Sequence, residues 1–111
     1  MQLIKILFTI TAFVLLTACA TSGYDFKEQN ISQLQIGVTT PYDAESILKG
    51  TPYQTVNNDS GTFLVFVFSS ADPMGVKTKM VELQFNNNVL TRISRMSGFE
   101  LPQADRARLM P

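Results

Sequence analysis

Thr62-Phe63-Leu64-Val65-Phe66-Val67-Phe68-Ser69 is the stretch on which the fold turns. Aromatic and β-branched side chains, uninterrupted by glycine or proline, describe a β-strand. The strand is apolar on both sides, with Phe63, Val65 and Val67 on one and Leu64, Phe66 and Phe68 on the other. Turn clusters bound it: Asn57-Asn58-Asp59-Ser60-Gly61 before, and Ala71-Asp72-Pro73-Met74-Gly75 after. Downstream, Val81, Leu83 and Phe85 alternate with Met80, Glu82 and Gln84, which predicts a half-buried strand with its odd positions inward. Asn86-Asn87-Asn88 tolerates positive φ and predicts a tight reversal. Val89 to about Met96 then supplies a third strand, with Val89 and Ile93 on one side and Arg92 and Ser94 on the other.

Working back from this meander, Thr40 is placed to cap a helix whose first position is Pro41, with Asp43 closing a capping box. Asp43 and Glu45 suit the positive end of that helix, so they read as a charged first turn rather than a catalytic dyad. Ala44, Ile47 and Leu48 form its apolar stripe. Gly50 is expected to end it in a left-handed cap, with Pro52 blocking resumption, and Gly37 is expected at a second position of positive φ or close approach. Residues 27–34 read as a short helical turn. The prediction is an α+β fold, two short N-terminal helices packed on a three-stranded antiparallel meander sheet, a two-layer sandwich. Its domain spans 31–97, followed by a loose C-terminal tail, 98–111, with two prolines and Arg106 and Arg108.

The N-terminus has another character. Met1 to Lys5 carries one positive charge, and Ile6 to Leu16 is an apolar run too short to cross a hydrocarbon core of about 30 Å. Leu16-Thr17-Ala18-Cys19 then resembles the lipobox of bacterial lipoproteins. That resemblance implies a signal peptide over 1–18 and an acylated Cys19 as the first mature residue. Ala18-Cys19-Ala20 also satisfies an A-x-A cleavage pattern, which would remove the cysteine and release a periplasmic protein. A single cysteine would otherwise be an odd leftover in an exported chain. Residues 19–30 read as a lipidated tether, polar and containing Gly23, with Tyr24 and Phe26 either docking on the domain or sitting at the lipid interface.

Composition limits what the domain can do. Removing the first 18 of 111 residues leaves 93, enough for one domain, and losing Lys5 leaves eight basic against nine acidic side chains. Such a balance gives no field for nucleic acid. The chain has no histidine, and its one cysteine is committed to lipid, so the usual zinc ligands and nucleophile–base pairs are missing. No cofactor, metal site, catalytic residue or small-molecule substrate is expected.

The ordered segments also resemble a known family. Ile31-Ser32-Gln33-Leu34-Gln35-Ile36-Gly37-Val38-Thr39 with Gly50-Thr51-Pro52 is similar to the opening of the small BamE (SmpA/OmlA-type) lipoproteins. The similarity continues through Val65-Phe66-Val67-Phe68, Gly75-Val76-Lys77-Thr78, and Val81-Glu82-Leu83-Gln84-Phe85-Asn86 to Val89-Leu90-Thr91-Arg92-Ile93. It covers roughly residues 31–95, behind a lipobox. Ser69-Ser70 stands where the family has a basic residue. The resemblance implies a non-enzymatic accessory scaffold of outer-membrane β-barrel assembly or envelope maintenance. It implies lipid anchoring on the periplasmic side of a Gram-negative outer membrane, with other barrel-assembly lipoprotein subunits and anionic phospholipid as partners.

Two further functions stand beside it. A helix pair on a sheet also resembles the repeats of β-lactamase inhibitor proteins, which implies a periplasmic binding or inhibitor module. An enzyme would need a carboxylate pair drawn from Asp59, Asp72 or Glu82, and nothing in their spacing suggests one. The doubly apolar strand points to binding: either the tether covers its second side, or that side is an exposed patch. The expected partner-binding residues are Leu64, Phe66, Phe68, Met74 and Val76, beside the lipidation site Cys19.

Overall fold

A computed structural model describes residues 21–111, so the expected signal peptide and Cys19 lie outside the described residues. The fold is α+β, with short helices on one face of an antiparallel sheet. In chain order the elements are β1 (Thr21–Gly23), a 3-10 helix (Glu28–Gln33), α1 (Pro41–Leu48), β2 (Gln54–Asn58), β3 (Gly61–Asp72), β4 (Gly75–Asn86), β5 (Val89–Ser97) and α2 (Gln103–Leu109). The expected meander is β3-β4-β5. It is extended at the β3 edge by two more segments, so five strands fill four strand positions.

The two added strands share one edge. β2 pairs with the start of β3, from Asn58↔Gly61 to Gln54↔Val65. β1 pairs further along, with Gly23↔Phe68 and Thr21↔Ser70. Both run antiparallel to β3, so they lie end to end as one interrupted strand, and residues 24–53 leave the edge between them to build the helical layer. The chain departs at Gly23, where φ is +79° and any Cβ would run into the Val67 carbonyl. Both strands correct the three-stranded expectation. β1 has no apolar residue, and β2 is a polar edge strand whose asparagines read as turn.

β3 and β4 register along their whole length, from Thr62↔Phe85 to Asp72↔Gly75. Val81, Leu83 and Phe85 are buried, as their alternation predicts. β5 departs from simple alternation. Register shifts opposite Glu82/Leu83 and Gln84/Phe85 leave an extra residue on β5 at each point. Leu90 and Ile93 therefore both reach the core, while Val89, expected on the same side as Ile93, stays at the margin. Asn87 (φ 53°) and Asn88 (φ 68°) make the tight β4–β5 reversal.

The helical layer follows its local signals. Thr40 and Asp43 form the expected capping box at the start of α1, with bonds of 3.1 and 3.2 Å, and Pro41 opens the helix. Ala44 and Leu48 are buried, with Ile47 packed beside them. The left-handed cap residue is Lys49, at φ 54°, one position before the expected Gly50. The Tyr24–Phe26 segment passes Gly50 at ordinary contact distance. Gly37, at φ +78°, behaves as expected. The loop it opens is stitched to the sheet, since Gly37 donates to the Leu90 carbonyl and Leu90 donates to that of Thr39 (both 2.8 Å). Buried Thr39 accepts from the Gln35 amide through its hydroxyl.

The domain is wider than 31–97 at both ends. Phe26, expected in a tether, is fully buried in the core. The tail expected to be loose carries α2, whose Leu109 is fully buried. Ala104, Ala107 and the arginines favour a helix, and this local preference outweighs the flanking prolines. Arg108 then ties α2 down, donating to the carbonyls of Leu34 (2.5 Å) and Ser32 (3.0 Å) at the open end of the 3-10 helix.

Relieving the left-handed strain at Lys49 is expected to stabilise the domain, so Lys49→Gly should gain about 1 kcal/mol. Gly50→Ala should change little, because the added Cβ would meet Phe26 and Tyr24 at an ordinary 3.5 Å. Thermal melts of the two variants check the placement of the cap.

Candidate functional site

The structure separates the expected binding residues into two groups. Leu64 (4% exposed) and Phe66 (1%) point into the core beneath the helices, and Phe68 is half-buried against it. This corrects their assignment to a partner surface. Phe26 covers Phe66 edge-on, with ring centroids 6.1 Å apart, and meets Phe99 of the C-terminal segment at the same distance. The open face of the sheet therefore belongs to the odd residues of β3. Register places Val56, Phe63, Val65, Val67 and Met80 on it together. Val65 is shielded by its neighbours, and the other four are half-buried. The polar rim of this stripe is the Glu82–Arg95 ion pair (2.8 Å), where the guanidinium and the Ser94 hydroxyl hold Glu82 below the usual carboxylate range.

Met74 and Val76, the second group, are 95% and 71% exposed. They sit at the tip of the β3–β4 hairpin, which outruns β5. β5 reaches only as far as Ser97↔Met80, and β1 is described from Thr21↔Ser70 onward. Beyond the end of β5 the hairpin forms a narrower ribbon. Its turn has local ties: the Asp72 carboxylate accepts from the Met74 amide (2.8 Å) and Pro73 restricts φ, while Gly75 supplies the φ of +138° that closes it. The β2–β3 turn repeats this chemistry, with Asn58 accepting from Ser60 (2.8 Å) ahead of Gly61 at φ +126°.

Where the ribbon leaves the body, Lys79 holds the N-terminal segment to the sheet. Its ammonium has three acceptors, Asp25 (2.6 Å), Glu28 (2.5 Å) and the Phe26 carbonyl (2.7 Å), and lies 4.7 Å from the centre of the Phe26 ring. Burial pulls the Lys79 pKa down, but the hydrogen bonds to the two carboxylates outweigh it and hold the group above its ordinary 10.5. The bond from Lys79 keeps Asp25 and Glu28 below their ordinary 3.8 and 4.5. Every ammonium hydrogen is engaged, so the lysine is a clasp and not a nucleophile. The sequence carried a signal for it. Extending the alternation Val81, Leu83, Phe85 backward turns Lys79 inward, and an inward charge requires partners.

Asp59, Asp72 and Glu82 are not brought together. Asp59 and Asp72 occupy turns at opposite ends of β3, and Glu82 is spent on Arg95. Among the described residues no group of His, Cys, Asp or Glu is arranged to hold a metal, and every buried side-chain nitrogen and oxygen has a partner. No family model, curated protein or solved structure matches this chain.

Two expectations follow. Truncating the covered ring, Phe66→Ala, should cost about 3–5 kcal/mol in denaturant unfolding, the penalty of a large core cavity. Replacing the clasp, Lys79→Met, should cost about 1–3 kcal/mol, because the Phe26 carbonyl and two carboxylates lose their charged donor. The carboxylates are depressed in the fold, so their contribution is complete above their ordinary values and is lost as pH falls through the lower folded ones. Lys79 is raised, so its share is complete below 10.5 and lost as pH rises beyond it. Melting temperatures from pH 2 to 7 should therefore show an acid limb that Lys79→Met shrinks, leaving the part that belongs to Glu82.

Proposed function

We propose that this chain is a non-enzymatic, lipid-anchored scaffold of the bacterial cell envelope, an accessory subunit of β-barrel assembly or a relative serving another envelope complex. Cys19 would carry the acyl chains, and the outer membrane, periplasmic side, would be its location. The reading draws on the lipobox-like sequence before Cys19 and on the ordered resemblance to BamE-type lipoproteins. The observation that carries it is the open sheet face. Val56, Phe63, Val67 and Met80 are left half-covered on a domain whose described helices lie on the other side. An apolar stripe rimmed by paired charge suits a protein partner, where a few apolar anchors supply most of the affinity. The partners fitting the resemblance are other lipoprotein subunits of barrel assembly, with anionic phospholipid as a second ligand.

Two measurements test this. Cys19→Ser should move the protein from the membrane to the soluble periplasmic fraction; unchanged membrane association would refute the anchor. A photo-crosslinking residue at Val67 should capture an envelope lipoprotein or barrel-assembly subunit from native membranes. Crosslinking to a soluble enzyme would point instead to an inhibitor module, and no crosslink at Val67 would remove the face from consideration.

A further inference from the structure

The start of β1 sets the direction in which an anchored domain would stand. Thr21 is paired with Ser70, on the ribbon, and β1 runs from there away from the tip toward the body. Cys19 precedes Thr21 by two residues, which span at most about 7 Å of extended chain. Ser70 is in turn only four residues from Met74, roughly 10 Å along a folded-back ribbon. By chain length alone, acyl chains on Cys19 would lie within reach of the ribbon. The β2–β3 and β4–β5 turns lie at the far end of the sheet. Among the described residues, those expected to form a tether make β1, the Asp25 and Glu28 partners of Lys79, and buried Phe26.

We propose that the β3–β4 ribbon tip is a membrane-contact element, with Met74 and Val76 entering the interface of the leaflet that holds the acyl chains of Cys19. This rests on the lipid anchor proposed above. The chemistry of the tip fits a lipid surface. Met74 and Val76 are the most exposed large apolar side chains of the described residues apart from Tyr42. The Asp72-Pro73-Met74-Gly75 turn, tied by the Asp72–Met74 hydrogen bond, already presents Met74 outward. Exposed Lys77 follows Val76, placing an ammonium at headgroup level, and Asp72 keeps the tip near neutral. Two anchoring points, the lipid and the tip, would fix the sheet upright and leave its open face accessible along the membrane.

The chain contains no tryptophan, so single reporters can be introduced. Met74→Trp and the control Tyr42→Trp, which is 76% exposed beside the loop stitched to the far end of β5, are produced in the full chain. Each is purified from membranes, weighed by intact mass spectrometry, checked by thermal melting, and reconstituted in phosphatidylethanolamine–phosphatidylglycerol vesicles. Lipids brominated on the upper acyl chain serve as quenchers. With Cys19 acylated, Met74→Trp emission should shift to the blue and fall about twofold, as for a side chain in the headgroup–acyl boundary. Tyr42→Trp emission should stay at its solvent value. Acylated protein with an unquenched Met74→Trp reporter overturns the membrane contact and leaves the anchor standing, as does equal quenching at both positions. A mass without acyl chains overturns the anchor and this inference together.

Discussion

Phe26 is the side chain on which the helical side of the sheet converges. It lies edge-on to Phe66 from the sheet and to Phe99 from the C-terminal segment, with the Lys79 ammonium against its ring. A strand apolar on both faces leaves a small domain with more apolar surface than two short helices can cover. Phe26 closes one face of it. Lys79 makes that closure specific, because its hydrogen bonds to Asp25, Glu28 and the Phe26 carbonyl bracket the aromatic residue on both sides. The other face has no such cover among the described residues.

Much of this was legible in the residues. Where one physical signal acts alone, the reading and the structure agree: the Thr40–Asp43 capping box, the inward alternation of Val81, Leu83 and Phe85, and the asparagine reversal at Asn87 and Asn88. Where pairing with a distant partner decides, local sequence was silent. Thr21-Ser22-Gly23 becomes a strand only because β3 has a free edge there, and Gln54–Asn58 is a strand for the same reason. The face of β3 that binds the helices could not be chosen from its composition, since both faces are equally apolar. The choice follows from its register with β4, which aligns Leu64 with Leu83 and Phe66 with Val81. Extending that alignment would have moved Leu64 and Phe66 from the expected binding surface into the core.

The two edges of the sheet are protected in different ways. On one side β2 is short, polar and largely exposed, a poor template for another strand. On the other, β5 carries two irregularities that break the regular spacing of its free hydrogen-bonding groups. Both devices discourage indiscriminate strand addition at these edges.

The interrupted edge strand also bears on how the domain assembles. β2, β3, β4 and β5 are joined by tight reversals, so their pairing closes only short loops and is expected to form early. Thr21 and Ser70 are 49 positions apart, so docking β1 must close a far longer loop than any reversal of the meander. β1 is thus the last strand to dock and the first to fray, a local opening far cheaper than global unfolding. The meander is therefore able to stand paired while the Thr21–Gly23 segment opens and closes along its edge.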